Sequence, residues 1–171
     1  LTPTMGALHA GHLKLVKESK KLKSIVVVSI FVNPTQFGPK EDYKDYPRTL
    51  KNDLKVLNKF GADIVFTPIQ KQILSHKTKH NCPQFAIEKR LCGKSRPNYF
   101  PGVKNIVLKL FDIVQPDKAF FGEKDYQQYL VIKKMTESLK LNTRIICVKT
   151  VRDRYGPVSY THLTLPTTGI V

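Results

Sequence analysis

The segment His9-Ala-Gly-His12 carries two imidazoles three residues apart at the predicted start of a helix. This spacing places both rings on one helical face, above backbone N–H groups that have no partner within the helix. Those N–H groups and the positive end of the helix dipole favour a triphosphate, and each imidazole can donate a hydrogen bond to phosphate oxygens. Gly11 would let a nucleotide lie close to the backbone. The alternative interpretation is two surface histidines beside a turn glycine, because so short a pattern often arises by chance.

A second polar cluster lies in the segment from Gly122 to Gln128. Lys124 can bind phosphate, a carboxylate can bind ribose hydroxyls, and the Gln128 amide projects from the first turn of a predicted helix. A structural interpretation competes with this one, since Asp125 and Gln128 have the spacing of a helix capping box.

A third cluster is Asn33 and Gln36, which follow an apolar strand. Their amides can orient a small hydroxy acid, or they can belong to an ordinary Asx-Pro turn.

The elements that position these clusters alternate between helix and strand. The apolar run Ile25–Val32 predicts a strand buried on both faces. Thr49 is the predicted cap of a helix that ends before Gly61 and carries Leu50, Leu54, Leu57 and Phe60 on one face. Further predicted elements are a first strand ending at Thr4, a helix around Leu13–Val16, a strand 63–66, a short helix 85–91 in a loop-rich stretch, a helix 103–114, a strand 118–121, a helix from Tyr126 to about Leu139 and a strand 144–148.

This alternation predicts an α/β fold with a doubly wound parallel sheet, Rossmann-like, in which helices cover both faces. Ligands of such sheets bind beyond the carboxyl ends of the strands. All three polar clusters follow predicted strands, and so does the segment Thr150–Arg152. We therefore expect one site at that edge of the sheet.

Composition limits the function classes. The chain has 171 residues, 41% of them hydrophobic, and its longest apolar run is far too short to span a membrane. Its three cysteines fit neither a zinc pair nor a disulfide framework, which favours a cytoplasmic location. The net charge of +16 raises the possibility of a nucleic-acid-binding module. Because the lysines are spread over most predicted helices without a recognition motif, we expect neither a nucleic-acid partner nor a membrane.

The sequence divides into two unequal parts. Residues 1–157 form the predicted domain, which begins within a strand and is therefore expected to be truncated at both ends. Residues 158–171 contain no Lys, Arg, Asp or Glu, and their amino-acid sequence resembles a translated cloning or adapter sequence. We expect this tail to be non-native and to have no packed place of its own.

Five blocks together resemble the pantothenate synthetase family in order and spacing, up to about Gly156. They are 3–12, 28–38, 45–49, 96–103 (in part) and 120–128. The His-x-Gly-His element alone is shared with class I aminoacyl-tRNA synthetases and other nucleotidyltransferases of similar fold, whereas the ensemble is specific. The resemblance implies the Rossmann-like fold of that superfamily and a cytoplasmic ligase. In its reaction pantoate attacks ATP to form pantoyl adenylate, and beta-alanine then displaces AMP to give pantothenate.

The resemblance also implies roles for individual residues. His12 stands where the family has its proton donor, His9 and Lys124 contact the phosphates, Asp125 binds ribose and the backbone at Val151 meets adenine. The implied ATP-binding set is Met5, Gly6, His9, Gly11, His12, Gly122, Glu123, Lys124, Asp125 and Val151. The implied pantoate and beta-alanine set is Gln36, Asn33 and Gln128. Magnesium is expected to arrive with the ATP phosphates, no protein metal site is implied, and the full-length enzyme is expected to be a homodimer.

One departure from the family pattern follows Arg152. The family continues there into a Met-Ser-Ser-Arg segment that closes on the phosphates, whereas this chain has Ser159-Tyr-Thr-His162. The family's C-terminal lid domain is also missing, so the chain as given is expected to turn over poorly. The alternatives to an amide-forming ligase are a cytidylyl- or adenylyltransferase with the same histidine motif, and a basic nucleic-acid-binding module. Gln36 and Gln128 favour the ligase, because they suit a small hydroxy acid.

Overall fold

The computed structural model describes residues 1–39, 41 and 43–152, and within them it contains five strands and six α-helices. The strands are β1 (Thr2–Thr4), β2 (Val27–Ile30), β3 (Ile64–Phe66), β4 (Lys118–Gly122) and β5 (Arg144–Val148). The helices are α1 (Ala10–Lys20), α2 (Leu50–Lys59), α3 (Gln70–Ser75), α4 (Cys92–Ser95), α5 (Tyr99–Val114) and α6 (Tyr126–Ser138). Short 3₁₀ turns occupy Pro34–Gln36, Ala86–Lys89 and Glu123–Asp125. The tail 158–171 lies outside the described residues, so the expectations for it stay predictions.

The strands form two parallel sheets, one with the order β1-β2-β3 and one of β4 and β5, and the two sheets lie side by side at β1 and β4. β1 pairs with β2 and β2 with β3, both in parallel, and β4 pairs in parallel with β5. Leu1 joins the two halves, because its amino group donates to the Lys118 carbonyl at 2.8 Å and its own carbonyl accepts the Phe120 N–H at 3.0 Å. The strand order reverses between β1 and β4, and ligands of such sheets bind at that switch point.

Neighbouring residues of β4 show that helices cover both faces of the sheet. Phe120 packs in a buried cluster with Leu15 of α1, whereas Phe121 belongs to the large core with Val107 of α5 and Ile132 of α6. Since successive strand residues point to opposite faces, α1 lies on one side and α5 and α6 lie on the other. The predicted doubly wound α/β fold is confirmed.

The stretch between β3 and α5 differs most from the sequence-based prediction. The structure has two short helices there, α3 and α4, that were not predicted, and the predicted short helix 85–91 is the 3₁₀ turn Ala86–Lys89. Elements this short contain too few turns to show an apolar period. Helix α5 begins at Tyr99 rather than Val103. Pro101 lies in its first turn, where backbone N–H groups have no partner within the helix, so the N–H that proline lacks is not needed there.

The apolar face predicted for α2 is only partly correct. Leu57 is fully buried, but Leu50 and Leu54 are 42% and 40% exposed, and Asp53 turns inward at 1% exposure. Thr49 is the N-cap residue, yet its hydroxyl makes no capping bond and instead donates to the Asp53 carboxylate. A buried carboxylate therefore occupies a position where the pattern predicts an apolar contact. Within the described ranges, no helix is long and apolar enough to cross a membrane.

Candidate active site

The turn between β1 and α1 passes through two residues with left-handed backbone conformation. Gly6 has φ 81° and Ala7 has φ 49°. Only glycine suits the first position, since a Cβ on Gly6 would lie 3.1 Å from both Asp53 Oδ2 and Ile30 Cγ2. The backbone then becomes extended at His9, and α1 starts at Ala10. This turn sets the direction from which the two histidines enter the site.

His9 and His12 cap the start of α1 with their own rings. His9 Nδ1 accepts the Gly11 N–H at 3.1 Å, and His12 Nδ1 accepts the His9 N–H at 3.4 Å. The ring centroids are 4.1 Å apart, so the prediction that both imidazoles share one face is confirmed. Because each Nδ1 accepts a hydrogen bond, each neutral ring carries its own proton on Nε2 and can donate a hydrogen bond from there to a ligand. The space left by Gly11 is taken by the His9 ring, 2.8 Å from where a Cβ would lie.

Both imidazoles are uncharged at neutral pH. The pKa of His12 is lowered to about 3, mainly by burial and then by repulsion from protonated His9 and from Lys124. The pKa of His9 is also lowered, by burial and then by Lys124, with Asp125 acting in the opposite direction. The free site therefore presents two neutral N–H donors rather than imidazolium ions. A bound polyanion would raise both pKa values by attraction to the protonated form.

The loop from β4 to α6 lies opposite the histidines. Glu123 Oε2 accepts the Thr150 N–H at 3.3 Å, which ties this loop to the end of β5. Lys124 Nζ lies 4.0 Å from Asp125 Oδ2, with side-chain exposures of 29% and 55%. The capping-box interpretation of Asp125 and Gln128 is wrong, because Asp125 makes no side-chain cap and Gln128 Oε1 instead accepts the Tyr99 hydroxyl at 2.8 Å.

Two cavities open at this edge of the sheet, and the first contains most of the predicted nucleotide residues. Its lining includes His9, Gly11, His12, Gly122, Lys124, Asp125 and Val151, together with Pro3, Leu15, Phe120, Phe121, Gln128 and 148–150. Three members of the predicted ATP set lie elsewhere. Gly6 lines a separate hollow beside β2 and β3, Met5 lines both that hollow and the second cavity, and Glu123 contacts Thr150 rather than the first cavity.

The second cavity contains the predicted acid-binding residues. Asn33, Gln36 and Gln128 line it, with Met5, Tyr46, Tyr99 and an apolar wall formed by Phe31, Phe121 and four residues of α5, Val103, Ile106, Val107 and Leu110. The two cavities share five lining residues: Pro3, His12, Phe121, Asp125 and Gln128. His12 and Gln128 therefore stand where a ligand in one cavity would meet a ligand in the other.

Protein hydrogen bonds already occupy the Asn33 amide. Its Nδ2 donates to Gln36 Oε1 and to the Gly102 carbonyl, both at 3.1 Å, and its Oδ1 accepts from the N–H and the hydroxyl of Thr35. Gln36 Nε2 contacts Met5 Sδ at 3.2 Å. Helix α5 approaches closely here, because a Cβ on Gly102 would lie 2.5 Å from the Thr35 carbonyl. Asn33 thus orients Gln36, while Gln36 faces the cavity.

Two residues at the site were not predicted from the sequence. Tyr99 hydrogen-bonds to Gln128, and its ring lies under the Arg96 guanidinium, which also pairs with Glu41 at 2.5 Å. No sequence signal points to this tyrosine. Asp53 accepts N–H groups of the turn before α1, and it did carry a signal, since a lone carboxylate on the apolar face of a predicted helix requires buried partners.

Similar proteins agree with this architecture. The curated pantothenate synthetase of Acinetobacter baumannii (strain ATCC 17978) is 52% identical over 155 residues, which is 90% of this chain and 55% of the relative. That of Acetivibrio thermocellus is 51% identical over 156 residues, 91% of this chain and 56% of the relative. The chain thus spans about half the length of the curated relatives it matches. The relatives are ligases and do not favour the nucleotidyltransferase alternative.

Solved structures give the same result. The crystal structure of pantothenate synthetase from Thermus thermophilus superposes with a TM-score of 0.89 at 40% identity, covering 94% of this chain and 58% of that one. The structure of pantoate-beta-alanine ligase from Francisella tularensis, complexed with beta-gamma ATP and beta-alanine, superposes with a TM-score of 0.87 at 42% identity. The superposition covers 94% of this chain and 62% of that one. The family model described as pantoate-beta-alanine ligase matches residues 1–158. The chain therefore belongs to the pantoate-beta-alanine ligase family.

Proposed function

We propose that this chain is the ATP- and pantoate-binding part of a ligase that joins pantoate to beta-alanine. A pantoate carboxylate oxygen attacks the α-phosphorus of ATP, and the bond to the bridging oxygen breaks to release pyrophosphate. The amine of beta-alanine then attacks the acyl carbon of pantoyl adenylate, loses a proton, and displaces AMP. The products are pantothenate, AMP and pyrophosphate.

The observation that carries this proposal is the meeting of two cavities at His12, Asp125 and Gln128. An adenylating enzyme must hold a nucleotide and an acid so that carboxylate and α-phosphorus touch while the rest of each ligand stays in its own pocket. One cavity has cationic and imidazole donors, and the other has amides above an apolar wall. This arrangement suits a triphosphate on one side and a small branched hydroxy acid on the other.

On the nucleotide side we assign the phosphates to His9, His12 and Lys124, the ribose to Asp125, and adenine to the backbone at Val151. Gly122 keeps the loop close to the nucleotide, and Glu123 holds this loop through Thr150. Met5 and Gly6 act indirectly, by shaping the turn that carries the histidines. The substrate form is ATP with magnesium on its phosphates, because Mg²⁺ keeps several waters and usually binds through substrate phosphates rather than in an all-protein site.

On the acid side we assign pantoate to Gln36 and Gln128, with beta-alanine entering next to Gln36. Asn33 acts through Gln36, because its own hydrogen-bonding positions are filled. His12 lies between the two ligands and donates from Nε2 to the phosphate oxygens as charge moves toward pyrophosphate. A preorganised donor in a partly buried site stabilises that developing charge more than water does.

The test is pantoate-dependent exchange of labelled pyrophosphate into ATP, which reports adenylate formation alone. We expect ATP binding by calorimetry for this chain, and exchange for a version extended with the C-terminal part of the Acinetobacter baumannii relative. Exchange without pantoate, or with cytidine triphosphate in place of ATP, would contradict the proposal. We further propose that the full-length enzyme is a homodimer located in the cytoplasm without a nucleic-acid partner, which size-exclusion chromatography and a DNA-binding titration would check.

A further inference from the structure

Asp53 of α2 is a buried carboxylate with three hydrogen-bond donors, and two of them come from the turn between β1 and α1. Its Oδ2 accepts the Ala7 N–H at 3.0 Å and its Oδ1 accepts the Leu8 N–H at 2.9 Å. The Thr49 hydroxyl donates to Oδ2 at 3.1 Å. The carboxylate is only 1% exposed. Each oxygen is therefore matched to a particular donor, and two consecutive backbone N–H groups are fixed relative to α2.

The turn that Asp53 holds is not one that the chain would adopt freely. Gly6 and Ala7 both have positive φ, 81° and 49°, and alanine rarely takes this conformation. Consecutive N–H groups in such a turn converge into a concave site for anions. In this protein the anion is the Asp53 side chain, so the Ala7 and Leu8 N–H groups are already bound to protein. These two N–H groups therefore fix the turn to α2 and are not open donors for a phosphate.

His9 follows Leu8 directly, and its ring position depends on where this turn ends. The His9 N–H also donates to His12 Nδ1, so a displacement of the turn is passed to both rings. We propose that Asp53 is a positioning residue of the site: its carboxylate holds the turn so that the Nε2–H groups of His9 and His12 face the nucleotide cavity. The consequence for nucleotide binding rests on the proposed function, whereas the positioning itself does not.

A carboxylate that only stabilises the fold is the competing explanation, and Asp63 provides a matched control for it. Asp63 Oδ2 accepts the Val26 N–H at 2.7 Å and pairs with Lys20 at 3.1 Å. It therefore also binds backbone to side chain, but at the amino ends of β2 and β3, away from the cavities. Loss of either carboxylate should lower the free energy of unfolding. Only loss of Asp53 should change the position of the His9 and His12 rings and the pKa of His12.

The experiment compares Asp53→Asn and Asp63→Asn in the full 171-residue chain by NMR titration of the imidazoles without ligand. The amide of Asp53→Asn keeps one acceptor but turns an NH₂ group toward a backbone N–H, so the turn loosens. Burial and the neighbouring charges of His9 and Lys124 hold the pKa of His12 near 3, with Asp125 facing His9. We expect this pKa to rise by about one unit or more in Asp53→Asn as water reaches the ring, and to stay unchanged in Asp63→Asn.

An unchanged His12 titration in a folded Asp53→Asn protein would overturn the proposal. Should that variant not fold, Thr49→Val removes one donor to the same carboxylate, and a smaller rise of the His12 pKa is expected; an unchanged value would again overturn it. Calorimetry adds the ligand readout, with ATP affinity about tenfold weaker in Asp53→Asn than in Asp63→Asn, a loss equal to roughly 1.4 kcal/mol. If the parental chain itself failed to bind ATP, the proposed function would fall while the imidazole titration would still decide the role of Asp53.

Discussion

The two cavities differ in how their polar side chains are held before any ligand binds. On the nucleotide side Lys124 and Asp125 are 29% and 55% exposed, and their charged groups lie 4.0 Å apart. On the acid side Asn33 and Gln36 are 1% and 8% exposed and hydrogen-bond to each other, and Asn33 also donates to the Gly102 carbonyl of α5. The acid side is thus arranged by the protein, whereas the nucleotide side keeps charged groups near solvent.

This difference fits the ligands proposed for each side. ATP is highly charged and long, so its own phosphates can order exposed cationic side chains on binding. A small hydroxy acid offers few contacts, and selectivity for it requires amides already held in place, since buried groups left unpaired by a wrong ligand are costly. We therefore expect substitutions on the nucleotide side to lower the rate of pantoyl adenylate formation. Substitutions on the acid side should instead raise the concentration of pantoate that the reaction requires.

The largest effect is expected for His12→Ala on the nucleotide side. Loss of one preorganised donor should slow pantoyl adenylate formation by roughly a hundredfold or more in the full-length enzyme. Binding of the finished adenylate should change less, because the donor acts on charge that develops in the transition state. Single-turnover adenylation is the measurement, with Lys14→Ala on the outer part of α1 as a control. Adenylation at the parental rate would remove His12 from the chemical step.

Gln128→Ala tests the acid side with a smaller effect. The variant loses one amide contact to pantoate, so the concentration of pantoate needed for half-maximal exchange should rise about tenfold. The melting temperature should fall only slightly, since the structure shows no helix cap at this residue and the lost bond to Tyr99 contributes about 1 kcal/mol. A clear drop in melting temperature with an unchanged pantoate requirement would reassign Gln128 to stability alone.

Tyr99→Phe sharpens the same point by removing a single oxygen. Burial raises the pKa of Tyr99 to about 12, so its hydroxyl remains a donor to Gln128 Oε1 and leaves the Gln128 NH₂ group to face the cavity. Without this donor the amide can rotate, and the pantoate requirement should rise roughly threefold with little change in the requirement for ATP. Tyr126→Phe, at a tyrosine 53% exposed, is the control. An equal rise in the concentrations of pantoate and ATP that Tyr99→Phe requires would argue against a role of Tyr99 in orienting Gln128.

The last prediction concerns stability and pH rather than rate or substrate requirement. The pKa of His12 is about 3 in the folded protein and 6.5 when unperturbed, so between these values the unfolded chain binds the extra proton. The free energy of unfolding should therefore fall as pH drops from 6.5 toward 3. His12→Gln has no imidazole to protonate at this position, so its free energy of unfolding should fall less over the same pH range. Urea titrations of both proteins measure the difference, and parallel pH profiles would contradict the burial of His12.

Local patterns in the sequence were sufficient for the elements that build the sheet. The strands around Val28, Phe120 and Ile146 and the helices α1, α2 and α6 follow from apolar periods and from capping or breaking residues, which depend only on near neighbours. Family motifs then indicated His9, His12, Lys124 and Gln128 as candidates. The short helices α3 and α4 and the start of α5 escaped prediction because they have too few turns or a proline in the first turn.

Only the tertiary structure decided which side chain each polar group meets. Asp125 and Gln128 have the spacing of a capping box, yet Gln128 pairs with Tyr99, which lies 29 positions away in sequence. Asp53 reaches a turn 46 positions away, and Asn33 reaches Gly102 across 69 positions. A hydrogen bond between distant segments leaves no periodic trace in sequence, because its geometry is fixed by how the helices pack on the sheet. The sequence by itself determined the strands, the longer helices and the candidate residues, whereas packing determined which of these residues face a cavity and which hold the others in place.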